Sequence, residues 1–106
     1  MTYYLVQGDT GTQIKVGIAR HETSEVVDLN FATAVLKVRK EKEAVNAFEI
    51  IGIKDDVNDN EAIFKLGDEM IGIAPGRYNG EVEVTFDDTT IETIYELLPL
   101  YIREDL

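Results

Sequence analysis

Between Tyr78 and Phe86 the chain alternates: Tyr78, Gly80, Val82, Val84 and Phe86 fall on one side, while Asn79, Glu81, Glu83 and Thr85 fall on the other. Successive side chains of a strand point to opposite faces, so this run predicts a half-buried β-strand; a helical period would bury Glu81 or Glu83. The same alternation turns Ile14, Val16 and Ile18 inward within 13–20, Ala34, Leu36 and Val38 within 33–40, and Ala62, Phe64 and Leu66 within 61–66. The opening 2–7 is rich in Tyr, Leu and Val, which favour strands.

Two further strands are expected at 44–53 and 90–103, each with an ambiguous register. In the second, Ile91, Thr93, Tyr95 and Leu97 share one face and Leu98, Leu100 and Ile102 the other, and Pro99 has no amide donor. A bulge or break near Pro99 reconciles the two sets and would let the last strand pass from one neighbour to another.

Turn-forming residues punctuate these runs at Gly8–Gly11, at 21–25, at 55–60, at Pro75-Gly76 and at Asp87-Asp88-Thr89. The last should close a hairpin, and 66–74 should hold one helical turn starting near Asp68. Seven to eight short strands with no crossover helices define the expected fold class: an all-β, immunoglobulin-like antiparallel sandwich, one domain over 1–106. Pro75-Gly76-Arg77-Tyr78 has the form of a tyrosine corner, in which a Tyr hydroxyl returns to nearby backbone.

Composition narrows the classes of function. An apolar fraction of 44% with 2 Pro is that of an ordinary folded domain, and a chain of 106 residues builds one core. With 21 acidic and 10 basic side chains the formal charge is -11, which opposes phosphate backbones and anionic membranes; neither nucleic acid nor a membrane is an expected partner. The absence of Cys excludes disulfides, thiolate metal sites and thiol nucleophiles. The N-terminus has no basic region followed by an apolar run, so the chain is expected to be made in a host cytoplasm without signal peptide or transmembrane segment.

Little in the chain points to chemistry. His21 and the single serine, Ser24, are turn neighbours without a nucleophile elbow, and Asp87 and Asp88 are adjacent at a hairpin tip rather than paired across a cleft. Gly8-Asp9-Thr10-Gly11 lacks the further glycines or lysine of a phosphate loop. Asp56, Asn58 and Asn60 follow the opening of a calcium loop, but Glu61 replaces the required Gly and no distal Glu follows, leaving them a weak calcium candidate. No catalytic residue and no cofactor is expected. Loops at the ends of a sandwich are its usual contact sites, which makes Asp9, Thr10, His21, Asp55, Asp56 and Asp59 candidates for protein contact.

The opening Tyr3-Tyr4-Leu5-Val6-Gln7-Gly8-Asp9-Thr10-Gly11, the Val26-Val27-Asp28-Leu29 segment, Leu36-Lys37-Val38-Arg39 and the closing Ala74-Pro75-Gly76-Arg77-Tyr78 then Gly80–Val84 together resemble the N-terminal domain of baseplate upper proteins of tailed bacteriophages. The resemblance implies an immunoglobulin-like fold, a non-enzymatic structural role, location in the virion, and capsid, tail or baseplate subunits as partners. A head decoration or cement protein fits a domain of this size equally. Self-association into trimers or rings is compatible with open sheet edges. The alternative is a stand-alone binding module that recognises carbohydrate or calcium through its loops.

Overall fold

The computed structural model of the chain describes residues 2–20 and 23–105, without the side chains of 95–97. Eight strands form among these residues: β1 (Tyr3–Val6), β2 (Gln13–Gly17), β3 (Ala32–Lys40), β4 (Asn46–Ile51), β5 (Ile53–Lys54), β6 (Glu61–Lys65), β7 (Gly76–Phe86) and β8 (Ile91–Arg103). They make two sheets, one ordered β1-β8-β7-β3-β4 and the other β2-β6-β5. The fold is an all-β, immunoglobulin-like sandwich. A single 3-10 turn, Asp68–Met70, sits where the helical turn was expected.

The alternation places the core as read. Ile14, Val16, Ile18, Ala34, Leu36, Val38, Ala62, Phe64, Leu66, Tyr78, Val82 and Val84 are all buried in one cluster between the sheets. Burying each such side chain contributes roughly 1.5–3 kcal/mol, and with no Cys in the chain this cluster is the main source of stability. Among the described residues no buried side-chain nitrogen or oxygen lacks a partner. The Tyr78 hydroxyl donates to the Ala74 carbonyl at 2.6 Å, so the tyrosine corner forms.

Three features depart from the expectation. First, the sandwich is not wholly antiparallel: β1 pairs with β8 in parallel, Tyr3 opposite Leu100 and Val6 opposite Arg103. The chain leaves β1 through the Gly8–Thr12 turn to start β2 at the end where β8 finishes, so β1 must run in the same direction as β8.

Second, the irregularity of the last strand precedes Pro99. Gly80 pairs with Leu98, Val82 with Tyr95 and Glu83 with Thr93, so β8 carries two extra residues, one in each step. Two insertions preserve parity, and Ile94, Leu98, Leu100 and Ile102 all turn toward the core, whereas Ile91 is exposed. Gln7 N–H donates to the Arg103 carbonyl, so odd-numbered residues of this part of β8 direct their backbone toward β1; the Pro99 nitrogen faces that side and no bond to β7 is lost.

Third, 44–53 is two strands in two sheets. β4 pairs with β3, β5 pairs with β6, and the chain changes sheets at Gly52. A Cβ on Gly52 would lie 2.8 Å from Phe64 Cε1 and 3.2 Å from Ala62 Cβ, so only a residue without a side chain passes the buried β6 at this corner.

Candidate functional site

β7 runs the length of the sandwich, and its two termini label the ends. At the Phe86 end three loops meet: the β2–β3 connection (18–31), the β5–β6 loop (55–60) and the β7–β8 hairpin (87–90). Backbone bonds join them. Ile18 N–H donates to the Asn60 carbonyl at 2.7 Å, Leu29 N–H to Asp59 at 2.9 Å, and Asp87 N–H to Phe31 at 3.2 Å.

These loops carry the carboxylates. The first contributes Glu25 and Asp28, the second Asp55, Asp56 and Asp59, and the hairpin Asp87 and Asp88, against Lys15, Arg20 and Lys54 as the neighbouring bases. Seven carboxylates against three bases give this end a local excess of negative charge among the described residues, and unlike bulk charge a local excess produces a directional field.

Several of the carboxylates hold their own loops. Asp55 Oδ2 accepts the N–H of Asn58 at 3.0 Å and of Val57 at 3.1 Å, and its Oδ1 lies 3.1 Å from Lys15 Nζ. Asp59 meets Lys54 Nζ at 3.1 Å. Asp88 Oδ1 accepts both the hydroxyl and the N–H of Thr90. The donors that stabilise each anion hold all three below the ordinary aspartate pKa: the Asn58 and Val57 amides with Lys15 at Asp55, Lys54 at Asp59, and Thr90 at Asp88. Arg20 anchors the rim, bonded to Glu92 at 3.1 Å with its guanidinium 5.1 Å from the Phe86 ring centre. Asp56 and Asp87 are exposed, and among the described residues their carboxylates have no partner.

The residues singled out in the sequence divide between the two ends. Asp55, Asp56 and Asp59 are together at the Phe86 end, where Arg20 and Thr23 also lie; His21 is outside the described residues. Asp9 and Thr10 are exposed in the β1–β2 turn at the opposite, Gly76 end, where Gly8 takes φ 86° and its N–H donates to the Met70 carbonyl at 2.8 Å. Of the calcium candidates, Asp56 and Asn58 are exposed, and the Asn58 and Asn60 carbonyls accept the N–H groups of Glu61 and Ile18. Among the described residues no three His, Cys, Asp or Glu side chains gather as metal ligands.

A second surface escaped the sequence reading. On the outer face of the five-stranded sheet, at the Gly76 end, the Tyr4 and Tyr101 rings are 6.3 Å apart and Arg77 places its guanidinium 5.8 Å from the Tyr101 ring centre. These residues are remote in sequence and become neighbours only through the β1–β8 and β8–β7 registers. Beside them the β3–β4 turn borders a shallow cleft of about 230 Å³ of mixed charge, lined by Lys37, Arg39, Lys40 and Lys42 together with Glu41, Glu43 and Glu81.

What defines the molecule at this stage is a class, the immunoglobulin-like sandwich with strongly unequal ends. No family model and no curated protein matches the chain. Among solved structures it is similar to CopC from Methylosinus trichosporium OB3b, with a TM-score of 0.54 and 11% identity over 99% of this chain and 88% of that one. At that identity the likeness shows the fold alone. No helix among the described residues is long and apolar enough to cross a membrane.

Proposed function

We propose that this chain is a non-enzymatic structural protein of a tailed-bacteriophage particle, a head decoration or cement protein or a tail or baseplate component, that docks on neighbouring subunits through its acidic Phe86 end. The observation that carries the docking mode is the meeting of three acidic loops at one end, with Asp55, Asp59 and Asp88 fixed by their own hydrogen bonds and Asp56 and Asp87 left for a partner. The fixed carboxylates hold the loops that present Asp56 and Asp87, so the loop backbone loses little entropy on docking, which favours contact with a basic surface. The virion setting rests on the sequence resemblance to baseplate upper proteins.

Cryo-electron microscopy of the particle is the test. Density for the sandwich with its Phe86 end against a basic neighbour is expected, and Asp56→Lys with Asp87→Lys should lower its occupancy. Absence of the protein from purified particles would overturn the virion role; full occupancy of the double variant would overturn the docking mode.

A further inference from the structure

The chain has about two acids for each base, yet its basic residues are used in two different ways. Lys15, Arg20, Lys37 and Lys54 all lie within 3.1 Å of a carboxylate oxygen. Arg39, Arg77 and Arg103 do not: among the described residues none of the three has a carboxylate within ion-pair distance. Arg39 reaches only the Asn46 side chain at 3.3–3.4 Å, Arg103 the Glu104 carbonyl at 3.1 Å, and Arg77 the face of Tyr101. All three are exposed odd-numbered strand residues at the Gly76 end of the five-stranded sheet, and the registers set them on one outer face with Tyr4 and Tyr101. Carboxylates border that face at Glu81, Glu83 and Glu49, where they surround Lys37, and at Glu41 and Glu43 in the cleft beside Arg39, but none of them pairs with the three arginines.

We infer that this arginine–tyrosine face receives the acidic Phe86 end of a second copy of this chain, giving head-to-tail self-association. Charge complementarity selects the occupant. Guanidinium forks without a carboxylate partner can donate to one in bidentate geometry, and Tyr and Arg are among the residues enriched where binding energy concentrates. The acidic end presents Asp56 and Asp87 without partners of their own. Donor and acceptor surfaces lie at opposite ends of β7, so the contact is heterologous: each copy uses one surface for the copy before it and the other for the copy after it. Molecules of net charge -11 repel at a distance, but at physiological salt charges more than ~8 Å apart are largely screened, and the contact is decided locally. Spanning four strands at ~4.8 Å spacing, the face is only ~14 Å wide, so a single contact is weak and repetition in an assembly supplies the avidity.

This inference rests on the proposed function only in taking the Phe86 end as a contact surface. Sedimentation velocity of the full chain from micromolar to millimolar concentration tests it. The expected result is a sedimentation coefficient that rises with concentration at ~0.1 M salt and an association weakened at least about tenfold at ~1 M. A face variant (Arg39→Glu, Arg77→Glu, Arg103→Glu) and an end variant (Asp56→Lys, Asp87→Lys) should each remain monomeric. In the mixture each retains one intact surface, so 1:1 dimers that grow no further are expected. Tyr4→Ser with Arg77→Ala probes the same face without charge reversal, should the triple variant fail to fold. Wild type monomeric at millimolar concentration, association of the face variant alone, or a mixture that stays monomeric while wild type associates would each overturn the inference. A monomeric wild type whose end variant is lost from particles would overturn self-association and leave the proposed docking mode standing.

Discussion

Gly52→Ala is the sharpest probe of how the two sheets are joined. The added methyl would sit 2.8 Å from Phe64 Cε1 and 3.2 Å from both Phe64 Cζ and Ala62 Cβ. Carbon atoms prefer about 3.5–4.0 Å, so the closest pair overlaps by about 0.7 Å. Neither neighbour has room to yield, because Phe64 is 0% and Ala62 1% exposed. Overpacking of this kind costs about 1–3 kcal/mol, and for a domain near 100 residues each 1 kcal/mol moves Tm by ~4–8 °C. Urea unfolding followed by circular dichroism should therefore show a lower midpoint with an unchanged slope. Phe64→Leu removes the Cε1 and Cζ atoms that collide, so Gly52→Ala should cost at least ~1 kcal/mol less in that background than in wild type. A Gly52→Ala protein that unfolds at the wild-type midpoint, or a double variant that loses the full sum of the single effects, would refute the steric account of the corner.

Three further outcomes are expected. Tyr78→Phe removes the part-buried bond to the carbonyl of Ala74, so calorimetry should show a loss of about 1 kcal/mol and a melt lowered by several degrees. Thr89 is β-branched yet holds φ 70°, a conformation costing it about 1–2 kcal/mol; Thr89→Gly removes that strain at an entropic cost of ~0.5–1 kcal/mol and should raise Tm, with a fall counting against the strained hairpin. Because its amide donors and Lys15 depress the Asp55 pKa in the folded chain, Asp55 adds stability above the unfolded aspartate value, and that contribution is lost as pH falls through the folded value. Asp55→Asn should accordingly flatten the acid limb of a stability-against-pH curve below about pH 5, and an unchanged limb would show that the carboxylate is not coupled to folding.

How much of this was legible depends on whether one face of a run was polar. In β7 the outward Glu81 and Glu83 leave a single choice of face, and the same holds for β2, β3 and β6. β8 offers apolar residues at both parities, so Ile91 could be mistaken for core until the two bulges and the burial of Ile94 settled it. The Gly52 corner carried a signal, a lone glycine within a strand-like run, but not its meaning, since the side chains it must clear come from β6. The acidic loops were visible individually, and their meeting at one end was not, because no local pattern encodes sheet order. The arginine–tyrosine face was invisible for the same reason: Tyr4, Arg77 and Tyr101 belong to three strands whose pairing the chain does not announce.

The parallel pairing of β1 with β8 also has a kinetic consequence. Tyr3 meets Leu100, so this contact closes nearly the whole chain into one loop, whereas the β7–β8 hairpin closes across Asp87–Thr89. Loop-closure entropy makes such a pairing slow to form, and a high mean separation of contacts places the domain among the slower folders of its size. β1 should be the last strand to dock during folding and the first to exchange its amide protons from the native state. The arginine–tyrosine face, which needs Tyr4, is then completed only in the final folding step.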